Sequence, residues 1–415
     1  MLFAACASPP GVQPVPEPPA ACAITAATAP DSLSIVVPSA PALIAAQLYT
    51  PLLTVDCDGQ LHPGLARSWT LDASGTRVTL TLRPDARFSG GEPISAGDVI
   101  AAWRAAGPTT GQVSTVWTAL ARRLADASTV IDDHTLLVSL PDTNLRVLAE
   151  PALAVYRTNS DSSRLEGSGL YQFGARTPSR VTLVPTTDAA APRLDIHMNG
   201  GDARDAIDAG ADVVITADPA TLSYVASVAG HTTIALPWTR TYLLVTPDRV
   251  TLPTSSFSDA VREDSRPAAL PAWLRGMRQC EFDIGNATTA RRSAHERRIA
   301  YEMGDDVARQ LAERLVAFGV APAAVYMNAG DFEDALRSAR ETAFVVAVPT
   351  RSLAPCVDTQ SLFARVPWLA ADGVSWNGTL TPLVDTRLHA IVRTDRVSAT
   401  IDWSGALHFG APRAP

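Results

Sequence analysis

At 415 residues, 47% apolar and 18% charged, the chain holds enough material for more than one hydrophobic core in the balance of an ordinary folded protein. Its formal charge of -8, with every one of its 34 basic residues an arginine, argues against a nucleic-acid partner, because phosphate binding calls for a basic stripe. No apolar run reaches the roughly 20 residues that cross a bilayer. The chain opens with Phe3, Ala4 and Ala5 ahead of Cys6. Pro9, Pro10, Pro14, Pro16, Pro18 and Pro19 follow, a composition that makes a semi-rigid tether and packs no core, so residues 1–29 are set apart. A first strand leads to Ser39. Leu48, Leu52 and Leu53 then run into Asp56, Asp58 and Gly59, a turn cluster of the kind that joins two strands. A second turn, Asp72-Ala73-Ser74-Gly75, precedes Val78, Leu80 and Leu82, which alternate with Thr79, Thr81 and Arg83 in the period of a half-buried strand. Gly90-Gly91-Glu92-Pro93 breaks that strand. Ser95 stands three residues before Asp98 and caps a helix carrying Val99, Ile100 and Trp103.

Further along, Gly167-Ser168-Gly169-Leu170-Tyr171 makes a turn entering a strand, and residues 205–213 read as a helix-to-strand junction. Arg297 to Tyr301 reads as a strand, Asp305 to Val316 as an amphipathic helix, and Val320 to Met327 as the next strand. Asp331 opens another helix before the buried strand Phe344 to Val348. This βαβαβ series implies parallel pairing.

The order of parts carries a resemblance. Pro63-Gly64-Leu65-Ala66-Arg67-Ser68-Trp69, Leu82-Arg83, Phe88-Ser89-Gly90-Gly91 and Ala96-Gly97-Asp98-Val99 are similar to the signature run of the family 5 extracellular solute-binding proteins, the peptide, oligopeptide and nickel receptors of bacterial ABC importers. Gly167 to Phe173, Asp205 to Val213, and Leu380 to Gly405 resemble later segments of the same family. The resemblance implies an α/β, two-lobed periplasmic-binding-protein-like fold of type II with a β-rich subdomain. The first lobe would take residues 30–248 and 360–415, with 61–160 as its subdomain, and a reduced second lobe would take 249–359. Trp69, Trp103 and Trp403 would hold core positions.

A binding protein of this kind, a monomer, would close on a small peptide or related solute in the cleft between its lobes and hand it to ABC permease subunits. Ligand-contacting candidates are Ser39, Tyr49, Trp238, Arg240, Tyr242, Arg351 and Asp358. For each aromatic the alternative is a packing role in core or hinge. Arg351, in place of the family's acidic residue, would favour a carboxylate over an ammonium group. Phe3-Ala4-Ala5-Cys6 looks like the lipobox of bacterial lipoproteins, with Cys6 as the acylated residue, and an accidental cysteine as the alternative. The protein would then sit in the periplasm or cell envelope, touching a membrane only through lipid. Cys22 with Cys57, and Cys280 with Cys356, are the disulfides the resemblance favours, although four cysteines allow three pairings and free buried thiols are the alternative.

Enzymatic readings find little support. The seven histidines stand singly, without metal-ligand spacing, and no phosphate loop, dinucleotide fingerprint or nucleophile elbow occurs. No metal or cofactor is expected. A relative that keeps the fold but serves a structural, chaperone-like or sensory role in the envelope is the second function class.

Overall fold

The structure is a computed structural model that describes residues 22–26, 30–38, 40–105, 115–158, 165–186, 191–198, 202–238, 240–246, 274–276, 298–317, 321–338, 343–349 and 379–409. Cys6, Cys280 and Cys356 lie outside them.

The first sheet has seven strands in the order Tyr171–Arg176, Arg180–Pro185, Arg193–Met198, Ser32–Val37, Val213–Thr216, His389–Arg393 and His231–Ala235. Ser32–Val37 is parallel to both of its neighbours, and its Leu33, Ile35 and Val37 are buried, the alternation of a strand whose one face feeds the main core. His389–Arg393 comes from the far end of the chain, yet it runs antiparallel between Val213–Thr216 and His231–Ala235. Asp212 secures that insertion. Its buried carboxylate accepts from the Ser34 amide at 2.9 Å and from Arg396 Nε at 2.6 Å, while Arg396 Nη2 donates to Ser32 O at 3.1 Å. A carboxylate taken out of water needs that many partners.

A four-stranded antiparallel sheet, Ala66–Leu71, Arg77–Leu82, Thr135–Ser139 and Ser128–Asp132, packs one face on the helices Ala96–Ala105 and Thr115–Asp126. The alternation read from the sequence is what buries Val78, Leu80 and Leu82. Ser95 and Asp98 cap the first helix reciprocally, each amide bonded to the other's side chain. Trp103 is fully buried and donates Nε1 to Leu153 O at 2.8 Å, whereas Trp69 and Trp403 pack only partly buried against the same core. This core runs from Leu52 to Val155.

The second sheet has six strands in the order Leu274–Gly276, Thr379–Thr386, Arg240–Thr246, Ala343–Pro349, Arg298–Glu302 and Ala323–Met327. Arg298–Glu302 is parallel to both of its neighbours, as the βαβαβ series requires. Leu311, Ala312 and Leu315 of the helix Asp306–Ala317 pack with Leu244 and Val345, while Phe332 and Leu336 of the helix Ala329–Ser338 pack with Leu243 and Phe344. Successive residues of the central strands therefore meet a core on each face, and the strands read as unbroken apolar runs.

The expected first lobe, 30–248 and 360–415, includes two strands that pair in the second sheet. Arg240–Thr246 and Thr379–Thr386 are hydrogen-bonded to each other inside the second sheet, so the described chain leaves the first sheet at 236–238 and returns at 387–388. Their ladder bonds are satisfied only there.

The N-terminal arm is tied down twice. Ala23–Ile24 pairs with Ala399–Ile401, and a disulfide joins Cys22 to Cys57 with 5.2 Å between the Cα atoms. Cys57 belongs to one of two matching hairpin turns, Asp56 to His62 and Asp402 to His408, which share Asp, Gly, Leu and His at the same spacing. In each turn the first aspartate accepts backbone N–H groups and the closing histidine's Nε2, and the glycine takes a positive φ, 83° and 80°. Asp56 and Asp402 form a bridge, so the turns lie side by side. Burial opposes the ionised form of Asp402, but His408, Ser404 and the Ala406 amide hold its carboxyl below the usual range.

The Cys22→Ser, Cys57→Ser double variant is expected to lose about 3–4 kcal/mol of unfolding free energy, the loop-entropy value for this separation, read from the urea midpoint.

Candidate functional site: the junction between the two sheets

Register decides which end of the first sheet meets the second. Thr216, His389 and Ala235 lie in one row across three neighbouring strands, and the outgoing crossing begins right after Ala235. Ser32–Val37 and Val213–Thr216 both point their C-terminal ends that way, the end at which open α/β sheets bind ligands. Ala217, one residue beyond Thr216, packs against the second sheet's core. Asp218 then caps the helix Pro219–Val225, accepting from the Ala220 and Thr221 amides.

At the junction itself the Arg387 guanidinium lies over the Trp238 ring, 4.4 Å from its centroid. Trp238 belongs to the outgoing crossing and Arg387 to the return. Arg387 is buried, and burial pulls its guanidinium down to about 10. Thr241 Oγ1 donates to Asp385 at 2.8 Å between the paired strands that follow. Arg240 is exposed at the start of its strand.

Two of the sequence candidates take packing positions. Tyr242 is 1% exposed inside the second core, where its hydroxyl lies 2.9 and 2.8 Å from the two Asp305 oxygens. Asp305 also accepts from the Ala308 amide at 2.9 Å, so the phenol supports a helix start; burial pushes its ionisation up. A strand with both faces covered leaves that ring no side open to solute. Tyr49 is displaced for a different reason. The helix Pro41–Leu48 starts at the C-terminal end of Ser32–Val37 and carries the chain about 12 Å back along the sheet. Tyr49 therefore packs edge-on to Tyr156, with centroids 6.1 Å apart, and shares a pocket of about 80 Å³ with Gly90, Glu166, Gly167, Tyr171 and Phe173. Tyr171 pairs with Pro185, at the Ser32 end of the sheet, so the pocket lies at the far end from the junction.

The turn beside that pocket is a structural clamp. A Cβ on Gly167 would stand 1.9 Å from Leu48 O and one on Gly169 2.2 Å from Gln47 O. Between them Ser168 Oγ accepts from the Thr50 amide at 2.9 Å and donates to Val155 O at 2.7 Å. Ser39, Arg351 and Asp358 lie outside the described residues. Of the remaining candidates the structure brings Trp238 and Arg240 to the junction. Sequence reasoning missed Arg387 and His389. The only signal was an arginine in the short break between two apolar strands and a histidine opening the second of them, and nothing local tells such a break from an exposed turn. Among the described residues the one group with metal-ligand proximity is Cys22, Cys57 and Asp58, and its cysteines form the disulfide.

Residues 60–197 match the family model for the middle segment of the bacterial extracellular solute-binding proteins, family 5. The chain is 43% identical over 61 residues to the periplasmic oligopeptide-binding protein of Haemophilus influenzae, a stretch covering 15% of this chain and 11% of that protein. It is 47% identical over 49 residues to the nickel-binding periplasmic protein of Escherichia coli, 12% of this chain and 9% of that one. The matched stretches thus span only about a tenth of these curated relatives. The fold likeness is far wider. The murein tripeptide binding protein of Escherichia coli superposes with a TM-score of 0.65 at 14% identity, over 92% of this chain and 99% of that one. A Brucella suis protein solved with Fe(III)-EDTA gives 0.64 at 13%, over 91% and 98%. The architecture is two-lobed and of mixed α/β class, like these binding proteins.

Tyr242→Phe is expected to cost about 2 kcal/mol of stability, the worth of a hydrogen bond to a charged acceptor, seen as a lower urea midpoint.

Proposed function

We propose that this chain is a bacterial extracellular solute-binding protein of family 5 and the solute receptor of a peptide-type ABC importer, taking a small peptide or related solute into the cleft at the junction of its two sheets. The observation that carries the reading is the pair of short crossings. Two halves, each built on its own sheet and linked among the described residues by the chain segments 236–238 and 387–388, suit closure on a ligand that excludes water from its polar contacts. The relatives' own cargoes, oligopeptides, nickel and a murein tripeptide, define the class of solute to try first. Trp238 would offer an aromatic surface, and the exposed Arg240 a cation suited to a carboxylate-bearing ligand. Arg351 and Ser39 would add polar contacts, and Asp358 a counter-charge to a ligand cation.

On this reading the protein works in the periplasm or cell envelope and delivers its solute to permease subunits. Cys6 would carry the lipid that holds it at the membrane, with the proline-rich segment as spacer.

Native mass spectrometry of protein purified gently from its own envelope, together with melting curves across a library of short peptides, tests the proposal. A true receptor carries cargo or gains about 2.7 kcal/mol from a solute held at 100 times its Kd. No cargo and no stabilisation across the library would instead leave the structural or sensory role.

A further inference from the structure

We propose that the pocket lined by Tyr49 is a second binding site, for a small organic carboxylate: Arg176 and the Tyr49 hydroxyl hold the anion, and the aromatic wall covers its short apolar body. The site stands apart from the receptor function, because the pocket lies at the far end of the first sheet from the junction.

The pocket forms where two cores meet. Leu48, Tyr49 and Tyr171 belong to the core of the first sheet, whereas Ser89 and Gly90 directly follow Phe88, which is buried in the core beneath the four-stranded sheet. Two ties hold that loop against the turn at Gly167. The Ser89 amide donates to Gly167 O at 2.8 Å, and Arg157 Nη2 reaches Glu92 at 2.6 Å and Glu166 at 2.7 Å. Gly90 suits the seam, since a Cβ there would stand 2.7 Å from Glu166 Oε1. The space left is about 80 Å³. On the scale where a cavity of about 150 Å³ takes benzene, it holds a body of roughly three or four heavy atoms.

Two donors beside this space are unspent. Tyr49 is 6% exposed and lines the cavity, yet its hydroxyl makes no hydrogen bond among the described residues. Buried polar atoms are nearly always bonded, so a phenol left in this way calls for an acceptor. Tyr171, the other phenol of the wall, directs its hydroxyl to Phe409 O at 3.4 Å. Arg176 lies 5.5 Å over the ring of Phe173, a wall residue, and pairs with no carboxylate among the described residues. Its charge is felt at the Tyr49 phenol, whose ionisation burial and then Tyr156 push up and Arg176 opposes. Cation and hydroxyl donor thus stand together beside an aromatic cavity, the combination from which a carboxylate accepts.

The sign of the ligand charge follows from the neighbours. Glu166 is held by Arg157 through Nε at 2.8 Å as well as Nη2, so an incoming cation would compete with a guanidinium already in place. An incoming anion meets an Arg176 that no described carboxylate holds.

Ligand-observed NMR titration of the full chain with acetate, propionate and butyrate tests the site, with propylammonium as the cation of like size, on wild type, Arg176→Gln and Tyr49→Phe. At least one carboxylate should saturate the wild type with a Kd on the order of a millimolar, as so small a ligand allows, and propylammonium should not. Each substitution removes one charge-assisted bond and should weaken that carboxylate about tenfold or more. Tyr49→Phe should leave the urea midpoint of the free protein where it is, because the hydroxyl bonds nothing within the chain. No saturable binding by any of the three acids overturns the proposal, as do equal binding of propylammonium, an affinity unchanged in either variant, and a lowered midpoint for Tyr49→Phe. An acid bound in the cleft would ignore both substitutions, and the receptor reading is judged by cargo and peptides, so the two fail separately.

Discussion

The antiparallel pairing of Arg240–Thr246 with Thr379–Thr386 is the constraint on which the rest of this molecule hangs. It brings the outgoing and returning chain together inside the second sheet, so the intervening residues must form one excursion between two paired strands. It also brings the return, 387–388, beside the departure, 236–238. Trp238 and Arg387 meet for that reason alone. A junction of two adjacent short segments has little material to resist rotation, and side-chain contacts there weigh more than they would inside a sheet.

The first half depends on a related device. His389–Arg393 is inserted between strands that precede it by more than 150 residues, and an inserted strand must be held in register or a one-residue slip turns every side chain over. Asp212 supplies the pin by joining the Ser34 amide, Arg396 and, through Arg396, Ser32. Its charge is buried but fully coordinated, the condition under which a buried ion confers specificity of arrangement. The N-terminal arm adds a covalent tie between Cys22 and the first of two like turns, while the second turn lies directly after the strand that pairs with that arm. Residues 22–24 and the two like turns are thereby bound into one corner.

The placement of Tyr49 and Tyr242 separates a family likeness from a site. Both aromatics are candidates for facing a ligand on the sequence resemblance, one after a first strand and one on a crossing strand. Tyr49 is carried away by a helix that reverses over the sheet, and Tyr242 faces a helix whose first turn it supports through Asp305. Over most of the chain the similarity to solved binding proteins is one of fold at 14% identity or less, where backbone path persists while side-chain duties change.

What the sequence by itself determined was local: the turns at Asp56 and Asp72, the Ser95–Asp98 cap, the alternation of Val78, Leu80 and Leu82, and the βαβαβ series from Arg297. These depend on neighbours within a few residues, and each residue type has a physical reason for its place. Tertiary structure alone decided that residues 240–246 join the second sheet, that Tyr49 lies at the far end from the junction, and that Arg387 covers Trp238 with His389 sealed beside it. Strand pairing and burial between segments remote in sequence set those outcomes, because hydrogen-bond register and water exclusion act through space, where periodicity along the chain carries no information.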